Sequence, residues 1–139
     1  KLREYLLRGG FLFSDSFFGS YDWIGFEQGL RRVFPDRPII DLSPEHPIFH
    51  IVYDVSELPT TQIPHMGSLR WGGGGYLSDG RVPHGRGVED DDGRLMVLIA
   101  HNNDVSDSWQ WADNPAYPAD KANLGLRIGV NIAAYMMTH

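Results

Sequence analysis

Six consecutive apolar residues, Leu95-Met96-Val97-Leu98-Ile99-Ala100, set the strongest constraint on this chain. Strand side chains alternate between two faces, so a strand apolar throughout must be covered on both, as in the interior of a parallel sheet flanked by helices. Phe11-Leu12-Phe13 repeats the pattern over a shorter run. Just before it, Leu2, Tyr5 and Leu6 recur at helical spacing, with Arg3, Glu4 and Arg8 on the other side and Gly9 at the expected stop. That spacing predicts a short amphipathic helix and a two-glycine turn into the strand.

The remaining chain supplies helices to cover such a sheet. Trp23, Phe26, Leu30, Val33 and Phe34 follow helical spacing, with Asp22 as the expected N-cap, Arg31 and Arg32 near the C-terminal end of the dipole, and Pro35 and Pro38 as stops. Leu124, Ile128, Ile132 and Tyr135 form the apolar face of a final helix capped by Asp120, while Lys121, Arg127 and Asn131 take its polar side and Gly125 and Gly129 allow close approach. Ile39 to Leu42 reads as a short strand, and Ser43 to Pro47 as a turn in which two prolines fix a structural His46. Ile48 to Tyr53 is compatible with strand or helix. From Ser56 to Arg94, prolines, the run Gly72 to Gly75 and mixed charges leave little regular period, so 56–94 reads as one long irregular loop, either a lid or a solvated insertion. Trp71 and Tyr76, flanking the glycines, either present an aromatic surface or pin that loop down.

A length of 139 residues with 42% hydrophobic content suits one domain, 1–139, with a real core. The net charge of -6 and the lack of a basic stripe exclude nucleic acid and anionic membranes as main partners. With no cysteine, thiol catalysis, thiolate metal ligation and disulfides are excluded. Leu124 to Met137 is too short for a membrane span and contains Arg127 and Asn131, so membrane insertion is not expected. The tetraglycine lacks the Lys-Ser or Lys-Thr of a phosphate loop. Asp90-Asp91-Asp92-Gly93 fails as a calcium loop because its first and twelfth ligand positions would be Val88 and Ile99.

Function points to the strand ends. In open α/β sheets ligands gather outside the carboxyl ends of the strands, where Ser14, Asp15 and Ser16 follow one run and His101, Asn102, Asn103 and Asp104 follow the other. If the two strands are parallel, both tips share one edge. Together with Trp109 they are the candidate ligand-binding residues. Three chemistries fit the residue types. Ser16 would serve as nucleophile and His101 as base, oriented by Asp15 or Asp104, in a hydrolase. Asp15, His101 and Asp104 would hold a zinc or manganese ion. Or the Ser and Asx side chains bond loop backbone while His101 packs under a tryptophan.

The segments GGFLFSDSF, RRVFPDR, HPIFH, DGRLMVLIAHNND, SWQWADNPAYP and LGLRIGVNIAAYMMTH together resemble a bacterial family, domain of unknown function 4159, grouped with the glutamine amidotransferase-like folds. The likeness covers nearly the whole chain and is most specific from Asn103 to His139. It implies a three-layer, flavodoxin-like parallel α/β sheet with helices on both faces. It also implies further strands before Lys1, so that another chain or an N-terminal segment covers the sheet edge. The place of the amidotransferase cysteine falls at Asp15 or Ser16, so glutaminase chemistry through a thiolate is excluded. Ser14-Asp15-Ser16 replaces the family's usual paired aspartates, and Trp109-Gln110 its usual Trp-Glu, which weighs against the metal. A periplasmic or cell-surface setting is implied, with the cytoplasm left open. The expected function is a non-catalytic ligand- or protein-binding module without a cofactor; the alternative is a hydrolase, divalent-metal dependent or not, using Asp15, Ser16 and His101.

Overall fold

The computed structural model describes residues 1–139. In chain order its elements are α1 (Leu2–Leu7), β1 (Leu12–Ser14), α2 (Gly19–Val33), β2 (Ile40–Asp41), α3 (Met66–Arg70), β3 (His84–Glu89), β4 (Leu95–His101), α4 (Val105–Gln110) and α5 (Ala119–Thr138). Single 3-10 turns lie at Pro47–Phe49 and Leu58–Thr60. The four strands make one sheet in the order β1-β4-β3-β2.

The all-parallel sheet expected from the apolar runs is not what forms. β1 does run parallel to β4, with Leu12 opposite Val97 and Ser14 opposite Ile99, but β3 pairs antiparallel with β4 and β2 antiparallel with β3. β3 lies inside the segment read as irregular, because HGRGVE carries glycines where a strand pattern calls for large side chains. Close packing requires one of them: a Cβ on Gly87 would stand 2.9 Å from the Val97 carbonyl oxygen and 3.2 Å from a Leu42 methyl. The turn into β4 is held by Asp90 Oδ1, which accepts the Asp92 and Arg94 N–H groups, while Gly93 takes φ +78°. The 56–94 segment therefore also contributes α3, a 3-10 turn and a paired strand.

β4 is the centre of the molecule, and all seven of its residues are buried. Its alternate side chains feed two separate cores. Val97 and Ile99 pack with Leu6, Leu30 and Phe34 from the α1 and α2 side. Leu98 and Ala100 pack with Leu124, Ile128, Ile132 and Tyr135 of α5. A bulge at Val88 and Glu89 lets Met96 join the α2-side core beside Val97. β1, in contrast, is an edge strand, shifted one residue from Phe11–Phe13 and only half-buried, because β4 is its sole neighbour.

Helix ends follow local chemistry with two corrections. α1 closes in a Schellman turn, the Gly10 N–H reaching Tyr5 O at 2.9 Å and Gly9 N–H reaching Leu6 O at 3.3 Å, with Gly9 at φ +101°. α2 begins at Gly19, so Asp22 sits in its first turn and is not its cap. α5 begins at Ala119 after Pro118, which moves Asp120 likewise into the first turn. There both carboxylates still favour the positive end of the helix dipole. Asn131, expected on the polar side of α5, is fully buried: its Oδ1 accepts the Val52 and Tyr53 N–H groups and its Nδ2 donates to the carbonyls of Ile48 and Tyr53. It thereby ties the irregular 48–53 segment to the helix. No helix is long and apolar enough to cross a membrane.

Candidate functional site

Because β1 and β4 are parallel and in register, their carboxyl ends meet. The Ser16 N–H donates to Asn103 O at 2.9 Å and the Asn102 N–H to Phe17 O at 3.0 Å, which laces the two tips together. The tips then divide into residues that build the site and residues that face its cleft.

His101 belongs to the builders. A period of two puts it on the same face as Val97 and Ile99, beneath α2. Its ring lies 5.0 Å from both Phe17 and Trp23 and 5.7 Å from His84. Arg86 donates to Nδ1 at 3.2 Å, which leaves Nε2 to carry the proton given to Gly19 O at 3.0 Å. Burial lowers the His101 pKa, with the charge of Arg86 acting the same way and the Gly19 carbonyl opposing. Both nitrogens are thus committed, and His101 is not placed as a base for Ser16 nor as a co-ligand of Asp15 and Asp104.

The asparagines clamp backbone. Asn102, at φ +60°, accepts the Gly19 N–H on Oδ1 at 2.8 Å and donates from Nδ2 to Val82 O at 2.6 Å. With Asp79 accepting the Ser20 N–H at 2.9 Å, it satisfies two of the free N–H groups at the start of α2. Asn103 accepts the Ile63 N–H. Asp104, 3% exposed, is the N-cap of α4; its Oδ1 accepts the Asp107 N–H at 3.0 Å and lies 2.6 Å from Ser16 Oγ and 3.0 Å from Ser106 Oγ. Ser16 is exposed at φ +62°, its hydroxyl held against Asp104 and 2.8 Å from Ser106 Oγ.

Ser14 and Asp15 face outward. With Phe17 and Phe26, and with Tyr21, Asp22, Ile24, Gly25 and Gln28 of α2, they line an open cleft of about 650 Å³. Asp15 is half-buried and accepts the Ser106 N–H at 2.7 Å. Burial raises its pKa; the Ser106 backbone bond opposes this and the nearby Asp104 charge adds to it. Trp109 is not in this cleft. Its indole N–H donates to Gly125 O at 2.7 Å and its ring packs 6.1 Å from Phe13, beside α5.

A different cluster escaped sequence reasoning. His65, Asp104 and Asp107 offer ligand atoms within 4.8 Å of one another, unlike the expected Asp15, His101 and Asp104. Each is already at work: His65 Nδ1 accepts the Ser68 N–H at 3.0 Å, and Asp107 accepts the Met66 N–H at 2.6 Å and the Trp111 indole at 3.2 Å. A neutral imidazole accepting at Nδ1 carries its proton on Nε2 and has no lone pair left for a metal. The cluster is a knot of helix caps, overlooked because the five-residue α3 has too little sequence for a periodic signal. Tyr117, buried beside Asp104 and Asp107 and donating to Pro64 O at 2.8 Å, has a raised pKa, burial being the main cause.

No curated protein and no solved structure gave a significant match to the chain. The model of one family, the domain of unknown function DUF4159, matches residues 1–137, and the chain belongs to that family.

Proposed function

We propose that this domain is a non-catalytic binding module whose ligand enters the cleft between the carboxyl end of β1 and the first half of α2. The observation that carries the reading is Asp15, a half-buried carboxyl at the head of a cleft of about 650 Å³, with no ion pair of its own. A carboxylate in such a place, held by one backbone N–H and with no cation beside it, is costly to keep charged, which fits a site whose partner arrives from outside. Hydrolysis draws less support, since both nitrogens of His101 are engaged and Ser16 bonds to a carboxylate. An amidotransferase-like ancestry, a further strand covering the open edge of β1, and a periplasmic or cell-surface setting belong to the proposal and rest on family resemblance.

A thermal-shift screen of divalent metals, sugars and nucleotides on the parent and on Asp15→Asn tests the reading. A shift in the parent that Asp15→Asn loses supports the cleft. A shift retained in Asp15→Asn places binding elsewhere, and no shift with any compound turns the search to protein partners.

A further inference from the structure

The chemistry of the cleft wall selects a ligand class. We infer that the cleft between β1 and α2 takes an organic cation, a primary amine on an apolar body, with the ammonium against Asp15. This rests on the binding reading above and adds the sign of the ligand's charge.

Asp15 and Asp22 supply the wall's only side-chain charges at neutral pH, and no lysine, arginine or histidine lines it. None of the protein's ion pairs includes either aspartate. The one neighbouring charge acting on Asp15 is Asp104, of the same sign, so the field at the head of the cleft is negative and is offset by hydrogen bonds, chiefly from the Ser106 N–H, with no cation beside it. An ammonium placed there relieves the burial cost of the carboxylate and gains a charge-assisted hydrogen bond.

An anion would ordinarily be drawn to the start of α2. That pull is reduced, because the Gly19 and Ser20 N–H groups are already taken by Asn102 and Asp79. Of the rest of the wall, Ser14 and Gln28 are polar and uncharged, and Phe17, Tyr21, Ile24 and Phe26 supply its apolar part. Phe17 and Phe26 stack at 4.8 Å, and Ile24 and Tyr21 hold 52% and 86% of their surface in solvent, area that the body of a ligand would cover. The volume of about 650 Å³ suits a small molecule, within the range of roughly 300–1,000 Å³ common for such sites.

The test is an amide chemical-shift titration with three probes of one shape: 2-phenylethylammonium, 2-phenylethanol and phenylacetate. The cation is expected to move the Ser14, Asp15, Gly25 and Phe26 amides and to bind about tenfold more tightly than the alcohol, with phenylacetate the weakest. Asp15→Asn should bring the cation down to the level of the alcohol, its fold being checked by unchanged amides away from the cleft. Added sodium chloride should weaken the cation and not the alcohol on the parent itself, a readout that needs no variant. Equal affinity of all three probes in the cleft would overturn the charge assignment and leave the binding reading standing. Failure of the cation to move any cleft amide at millimolar concentration would overturn the inference, and the thermal-shift screen then judges the binding reading on other ligands.

Discussion

Asn102 offers the most direct way to separate building residues from ligand-facing ones. Replacing it with alanine removes the bonds to the Gly19 N–H and to the Val82 carbonyl, the first of which is buried. Each such bond contributes about 1 kcal/mol, and a buried N–H left without a partner costs at least that much. Alanine must also hold φ +60°, a conformation that costs an ordinary residue about 1 kcal/mol or more. The sum is roughly 3 kcal/mol for Asn102→Ala. Asn102→Gly loses the same bonds without the left-handed strain and should cost about 2 kcal/mol. For 139 residues the alanine change corresponds to a melting temperature lower by about 10 °C. Urea denaturation of the parent and both variants reads these differences as shifts in midpoint at constant slope. An alanine variant within about 1 kcal/mol of the parent would refute the clamp. So would a glycine variant less stable than alanine, since the left-handed backbone would then carry no strain.

Asn131→Ala should be among the most damaging single changes, about 3 kcal/mol or more by urea denaturation, because it strips four hydrogen bonds from a fully buried position. Asp15→Asn should act in the opposite direction. The raised carboxyl pKa means that Asp15 stabilises the fold at low pH and that this contribution is lost as pH rises through its folded pKa, so the neutral isostere should melt higher than the parent at pH 7 and equal to it below about pH 4. The pKa values of His101, His46 and His84 are lowered mainly by burial, so their contribution is complete above the unfolded value near 6.5 and falls away as pH drops below it. Melting temperature should therefore fall from pH 7 to pH 5, and the His101 ring resonances should titrate below 6.5.

Much of the framework was legible in two apolar runs. LMVLIA demanded a strand covered on both faces, and β4 is that strand, parallel to β1 as a crossover through α2 suggests. β3 escaped notice because Gly87 stands where close packing leaves no room for a side chain and Gly85 lies tight against Pro59, so the strand produced little hydrophobic signal. Asn131 misled for the opposite reason, since helical periodicity treats a polar residue as solvent-facing while this one replaces missing backbone partners. The meeting of the two tips could be read from parallel strands alone. Which tip residues face the cleft could not: it depends on α2 covering the Ile99 face, which turns His101 inward, and on α4 approaching Asp15 through the Ser106 N–H.

The most direct test of the cleft is to map a chemically diverse fragment library onto the assigned amide spectrum of the protein. The account predicts that hits converge on residues 14–17 and 21–28, the wall around Asp15. Hits gathering instead on the Trp109, Leu126 and Val130 surface, with the amides around Asp15 unmoved, would contradict it.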